Sequence, residues 1–181
     1  MKKTLIFTIA VLMLITLSAG REFDLSINGG LAFNPRWELA PNFGITGSTP
    51  FNDNITIEGE FFFYLNAKED LDIPGLSYSS YAWDMNVYAL YFFNLANAKF
   101  KPYAALGAGV FGAHVKTTWE MGLFKGSDTW SKTKLNFGFG GGAKYPLNEK
   151  SGLRFDVRYI IIVDIIGDPI RITAGYYMNL K

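Results

Sequence analysis

Residues 152–163 read GLRFDVRYIIIV. On an extended chain Leu153, Phe155, Val157, Tyr159, Ile161 and Val163 fall on one face, and Arg154, Asp156, Arg158, Ile160 and Ile162 on the other, because successive strand side chains point to opposite sides. Three charges within five residues thus share a face opposite an unbroken apolar stripe. A helix would scatter both sets around its axis, so the stretch is a strand, and its two faces meet very different surroundings.

The same period of two recurs on both sides of it. A short turn at Gly167, Asp168 and Pro169 leads to Ile170, Ile172, Ala174, Tyr176, Met178 and Leu180, alternating with Arg171, Thr173, Gly175, Tyr177 and Asn179. Before it, Leu135, Phe137, Phe139, Gly141, Ala143 and Tyr145 alternate with Asn136, Gly138, Gly140, Gly142 and Lys144. Glycines on one face permit close approach and sharp curvature. Lys101 to about His114 forms a fifth strand of ambiguous facing, and we place Ala104, Leu106, Ala108 and Val110 outward. A fourth, after a polar loop from Asn66 to Ser80, sets Tyr81, Trp83, Met85, Val87, Ala89 and Tyr91 against Ala82, Asp84, Asn86 and Tyr88. The third sets Ile55, Ile57, Gly59, Phe61, Phe63 and Leu65 against Thr56, Glu58, Glu60, Phe62 and Tyr64. The first runs from Phe23 to Phe33 with Asp24 on its polar face. Asn34 to Pro41, with two prolines, breaks the run, and a weaker second strand passes Phe43, Ile45 and Gly47 to a turn at Pro50 to Asn54.

Residues 1–20 carry Lys2 and Lys3, an apolar core from Leu5 to Leu17, and the small residues Ser18, Ala19 and Gly20. This is the pattern of a cleaved secretory leader, with cleavage expected after Gly20, leaving residues 21–181 as one domain. The alternative, a retained anchor, suffers from an apolar core shorter than the roughly 20 residues a helical span needs. Without Lys2 and Lys3, fifteen basic side chains face sixteen acidic ones, which argues against a nucleic-acid partner. The 181 residues include no Cys, so disulfides, thiolate metal sites and cysteine nucleophiles are excluded. No metal and no cofactor are expected.

Mean hydropathy is only +0.12, as it must be when each strand is apolar on one face alone. A soluble sandwich or lipocalin-like barrel alternates too. Three features favour lipid. The strands are about ten residues long, enough for a tilted strand to cross a bilayer. Aromatics gather near strand ends, and connection lengths alternate. Short turns at Pro50 to Asn54, Asn94 to Lys99 and Pro146 to Ser151 belong inside, and the longer Asn66 to Ser80 and Val115 to Thr133 outside; the last outer connection, at Gly167, is short. The fold class is therefore all-β, an eight-stranded antiparallel up-and-down transmembrane β-barrel, whose closure removes edges that hydrocarbon could not satisfy.

Three segments, KPYAALGAGVFG from Lys101, FGFGGGAKYPL from Phe137 and GLRFDVRY from Gly152, resemble in order the fifth, sixth and seventh strands of the small outer-membrane β-barrel family, similar to the OmpA transmembrane domain and OmpX. The resemblance covers residues 21–181 and specifies fold far better than activity. It implies outer-membrane lipid as the surroundings and a monomer. Thr173, Gly175, Tyr176, Met178 and Leu180 resemble the C-terminal signal read by the barrel-assembly machinery, departing from it in ending on Lys181. No peptidoglycan-binding segment, and so no cell-wall tether, is expected.

Arg or Lys at the midplane of the lipid face costs about 2–4 kcal/mol, so the charges belong inside. Asp24, Glu58, Glu60, Asp84 and Asp156 are expected to face Lys144, Arg154, Arg158 and Arg171 as a lumen ion-pair network. An eight-stranded barrel is just wide enough to be filled by side chains. A plugged lumen is the main reading and a gated small conductance the other. Trp119, Met121, Leu123, Phe124 and Trp130 make the 115–133 connection unusually apolar for a wet loop, so it either meets an extracellular partner or folds over the mouth. His114 is the single histidine. Val115 and Lys116 follow it, so the His-x-Ser pattern of lipid A deacylase-like barrels is absent, and it reads as an interfacial residue without a catalytic task. The expected role is structural or surface interaction and not enzymatic; the alternatives are a small-solute channel and a lipid-modifying outer-membrane enzyme.

Overall fold

The computed structural model describes residues 22–34, 38–65, 76–95, 99–121, 124–164 and 168–180; the expected leader, residues 1–20, lies outside them. The strands are β1 (Phe23–Asn34), β2 (Glu38–Pro50), β3 (Ile55–Tyr64), β4 (Leu76–Phe92), β5 (Lys101–Met121), β6 (Phe124–Pro146), β7 (Ser151–Ile162) and β8 (Ile170–Leu180). Each pairs antiparallel with its neighbour in sequence, and β1 closes on β8 to complete the barrel.

Alternation decides what each face meets, and the result inverts a soluble protein. Ile27, Phe43, Val87, Phe137 and Phe155 stand exposed on the outside, while Glu58, Asp84 and Arg158 are wholly buried within. Such a surface is stable only against an apolar solvent. On β5 the even residues do face outward: Leu106 is 69% exposed, whereas Tyr103, Ala105 and Phe111 are 5% or less. Leu106→Arg is accordingly expected to lower stability in lipid vesicles by about 2–4 kcal/mol, measured by urea titration. An unchanged midpoint would mean that Leu106 does not face lipid.

Gly138, Gly140 and Gly142 occupy the inner face of β6, opposite Gly107, Ala105 and Tyr103 on β5. A Cβ at Gly138 would lie 1.9 Å from the Tyr88 hydroxyl, and one at Gly142 would lie 2.6 Å from that of Tyr103. The bare backbone there is what lets large polar side chains lie across the interior.

Three expectations need correction. The 115–133 connection is not a loop: β5 continues to Met121 and β6 begins at Phe124, in one unbroken register from Lys101↔Lys144 to Met121↔Phe124. Above the lipid both faces are wet, so the strand persists without the apolar stripe that would reveal it. The 66–80 connection likewise gives way to β4 from Leu76, with 66–75 outside the described residues. Pro41 is within β2, opposite Leu31. Pairing of β2 with β3 ends at Asn42↔Tyr64, so the missing N–H removes no ladder bond, and the Pro41 carbonyl still accepts from Leu65 N at 2.8 Å.

Candidate functional site

The barrel interior is layered from the end bearing the short turns toward the other. At the turn end, a cavity of about 750 Å³ has Lys144, Asp24 and Tyr177 among its lining residues. Lys144 Nζ donates to Asp24 Oδ2 at 2.6 Å, and Asn179 Nδ2 donates to Oδ1 of the same carboxylate at 3.0 Å. The ammonium also sits 5.1 Å from the centre of the Tyr177 ring, a favourable place for a partly desolvated cation.

Deeper in, Arg154 reaches across from β7 to β3. Its Nη1 and Nη2 grip both oxygens of Glu58, the second at 2.8 Å, while Nε binds Asp156 and Nη1 donates to Thr46 Oγ1 at 3.0 Å. Arg158 Nη2 lies 2.7 Å from Asp156 Oδ1 and 3.5 Å from Glu58 Oε1. Tyr103 donates to Asp156 at 2.7 Å. One residue pair further, Arg171 Nη2 donates to Glu60 Oε1 at 2.6 Å and Nη1 to Asp84 Oδ2 at 3.2 Å, and Tyr64 donates to Asp84. The Arg171 guanidinium lies 3.7 Å over the Phe62 ring.

The three arginines are no more than 2% exposed. Bidentate, planar contacts suit guanidinium and would not survive replacement by Lys. Arg158 and Arg171 stand directly opposite each other on β7 and β8, a like-charge pair that is unfavourable by itself. Glu58, Glu60, Asp84 and Asp156 around them supply the compensating charge. Satisfaction is incomplete, since Nε and Nη1 of Arg158 donate to no acceptor among the described residues and the cation lies instead 4.7 Å over the Tyr88 ring.

Apolar layers bracket these charges. Phe62, Tyr64, Phe111, Ile160 and Ile162 cluster on the outer side, and Tyr88, Leu90, Tyr103 and Ala105 on the other. Burial between such layers strengthens each ion pair and raises the penalty for breaking one.

All nine charges named from the sequence thus point inward and fall into three connected groups. The sequence reading missed Thr46, Tyr64, Asn86 and Tyr103, which complete them; Asn86 Nδ2 donates to Glu60 at 3.0 Å. Their signal was the same inward parity, without a charge to attract notice.

At the opposite end a flap rises above the rim. Pairing of β3 with β4 stops at Tyr64↔Ala82, and that of β6 with β7 at Asn136↔Ile162. β4 from Leu76 to Tyr81, β5 from His114 to Met121 and β6 from Phe124 to Lys134 therefore continue as a three-stranded sheet. The eight β5 residues extend it by roughly 27 Å at about 3.4 Å per residue. Trp119 covers Gly126 across the hairpin, where a Cβ would lie 2.5 Å from the indole. Trp130 is 44% exposed beside Lys132, whose ammonium lies 4.9 Å from its ring centre. Met121 and Phe124 pair at the tip, and Leu123 lies outside the described residues.

Among the described residues, one side of this flap is an open edge. Leu135 O accepts from Val163 N at 3.0 Å, so odd residues of β6 turn their backbone groups toward β7. Further up the same strand, Thr129, Ser131 and Thr133 direct theirs where no described strand lies. At the foot of the edge, Lys134 donates to Asp164 at 2.8 Å. That hydrogen bond and the lysine charge hold the Asp164 carboxyl below the usual carboxylate range. The aspartate is 72% exposed, so the pair adds little stability.

The sequence matches the family described as outer membrane protein beta-barrel domain over residues 7–177. A search of curated protein sequences finds no match. Among solved structures, a major outer membrane protein of Thermus thermophilus superposes with a TM-score of 0.66 at 13% identity, covering 88% of this chain and 99% of that one. Ail, the attachment invasion locus protein of Yersinia pestis, gives 0.61 at 15% identity over 88% and 99%. OprG of Pseudomonas aeruginosa gives 0.57 at 15% over 88% and 97%. At these identities the structures establish the fold alone. The family match spans nearly the whole sequence and agrees with a closed eight-stranded barrel that is apolar outside and charged within: this chain belongs to the outer membrane protein β-barrel domain family.

Proposed function

We propose that this outer-membrane barrel is a surface-interaction protein whose working part is the flap, carried on a lumen sealed by ion pairs. The observation that carries this reading is the open edge of β6 from Phe124 to Lys134. Free strand edges template the addition of another strand, and proteins that do not use them usually cover or break them. Lys116, Lys125, Lys132 and Lys134 outnumber Glu120 and Asp128 along the hairpin, so an extended segment of acidic character is the favoured partner.

Thr129→Pro combined with Thr133→Pro tests this selectively. Both N–H groups point away from β5, so the β5–β6 ladder is kept while strand addition is blocked. Proteoliposomes of the native protein are expected to capture extended acidic peptides from a synthetic array, and those of the double variant to lose at least tenfold in capture. Equal capture by both would overturn the reading. For the lumen, the purified protein in planar bilayers is expected to show no large stable conductance; an open channel would contradict the seal.

A further inference from the structure

The outward face at the foot of the flap carries a different arrangement. Phe43 and Phe63 lie 5.7 Å apart between ring centres, Phe63 and Tyr81 5.5 Å, and Tyr81 and His114 4.7 Å. This row crosses the outward face of β2, β3, β4 and β5 at the level where β3 ends. Aromatic belts of this kind mark the boundary between hydrocarbon and head groups. The row ends on a hydrogen bond: His114 Nδ1 and Ser131 Oγ are 2.7 Å apart, in directly facing positions of β5 and β6.

We propose that Ser131 and His114 form a nucleophile–base pair that cleaves acyl esters of outer-leaflet lipids. Sequence spacing hides the pair, because the serine comes from the facing strand. Three local features suit the chemistry. Oγ is within the reach a general base requires. Stacking on Tyr81 fixes the imidazole plane, the orienting task that a carboxylate performs in a triad. The Ser131 N–H points to the edge of β6 that no described strand covers, where it can donate to an oxyanion beside its own Oγ. The pair stands at the end of the aromatic row, and rows of this kind mark the interface at which ester linkages join lipid head groups to acyl chains.

With the imidazole proton on Nε2, the Ser131 hydroxyl donates to Nδ1. Oγ attacks the acyl carbonyl carbon as Nδ1 takes its proton. The carbon–oxygen bond to the lipid alcohol then breaks, and the alcohol leaves with the proton from Nδ1. Water attacks the acyl-serine, passing a proton through Nδ1 to the departing Oγ. Ester and water become fatty acid and alcohol, and the pair is restored. His114 and Ser131 are the catalytic residues, and Tyr81 is a positioning residue.

The full barrel in vesicles, treated with a long-chain alkyl fluorophosphonate, should be labelled on Ser131. Ser131→Ala should abolish labelling. His114→Asn should slow it about 100-fold, as loss of a general base does. Tyr81→Leu should also slow it, and Tyr81→Phe, which keeps the stacked ring, should restore it. Fatty-acid release is followed in two arms, phosphatidylethanolamine vesicles and vesicles containing lipid A; release in either supports the proposal and tells which lipid supplies the ester. Heat-modified gel migration establishes that each variant is folded. Folded native protein with no label on Ser131 and no release in either arm would overturn the proposal, as would labelling that is indifferent to His114→Asn.

Discussion

Arg154→Ala is expected to destabilise the barrel by about 3–5 kcal/mol, the cost of removing one partner from a buried ion pair. The substitution strips Glu58 of two hydrogen bonds and Asp156 of two more. Among the described residues it leaves both carboxylates with only Arg158 and Tyr103 as partners. Urea titration of the protein refolded in vesicles should show the loss directly. Adding Glu58→Gln, which leaves Asp156 paired with Arg158 at 2.7 Å, removes the stranded charge and should return a substantial part of it. On the rim, Lys134→Ala breaks an ion pair whose aspartate is mostly exposed and should shift stability by no more than about 1 kcal/mol. Equal effects at Arg154 and Lys134 would show that the interior is wetter than its burial indicates.

Gly140→Val is the second large effect, and it acts through shape. A Cβ at Gly140 would lie 2.0 Å from the Val157 carbonyl oxygen, an atom of the neighbouring strand that cannot swing aside. Either β6 and β7 separate, with loss of ladder hydrogen bonds, or the strand bends away from the lumen. Overpacking commonly costs about 1–3 kcal/mol, and a clash with backbone belongs at the top of that range or above it. The fraction of heat-modifiable protein after refolding measures it. Gly29→Ala is the control, because a Cβ there meets nothing nearer than Asn42 O at 3.8 Å. A native yield of folded Gly140→Val would mean that the β6–β7 spacing is softer than the geometry implies.

The two substitutions touch parts of the molecule that were unequally legible in sequence. Period-two alternation in β7 and β8 announced both the strands and their inward charges, because lipid on one side and a polar lumen on the other force each residue to declare its face. Leu106 and its neighbours were harder, since small residues occupy both faces of β5. The alternation could not say where β5 and β6 end. From Val115 to Thr133 neither face touches hydrocarbon, so the physical cause of the pattern disappears although the strand does not. Nor could it say that Arg154 meets Glu58 or that His114 meets Ser131. Those pairings depend on register across the barrel or between facing strands, and the β5–β6 register is fixed by hydrogen bonds common to every residue type.

The seam between β1 and β8, from Phe23↔Leu180 to Phe33↔Ile170, has a consequence for how the protein is made. The first strand to leave the ribosome waits for the last before its outer edge is covered. A nascent seven-stranded sheet has two bare margins, and hydrocarbon solvates neither. Order of synthesis therefore cannot be order of completion: a partly translated copy is not a partly inserted one, and it must be escorted or destroyed as unfinished chain. Quality control in the cell envelope has a simple question to ask of this molecule, which is whether its two ends have met.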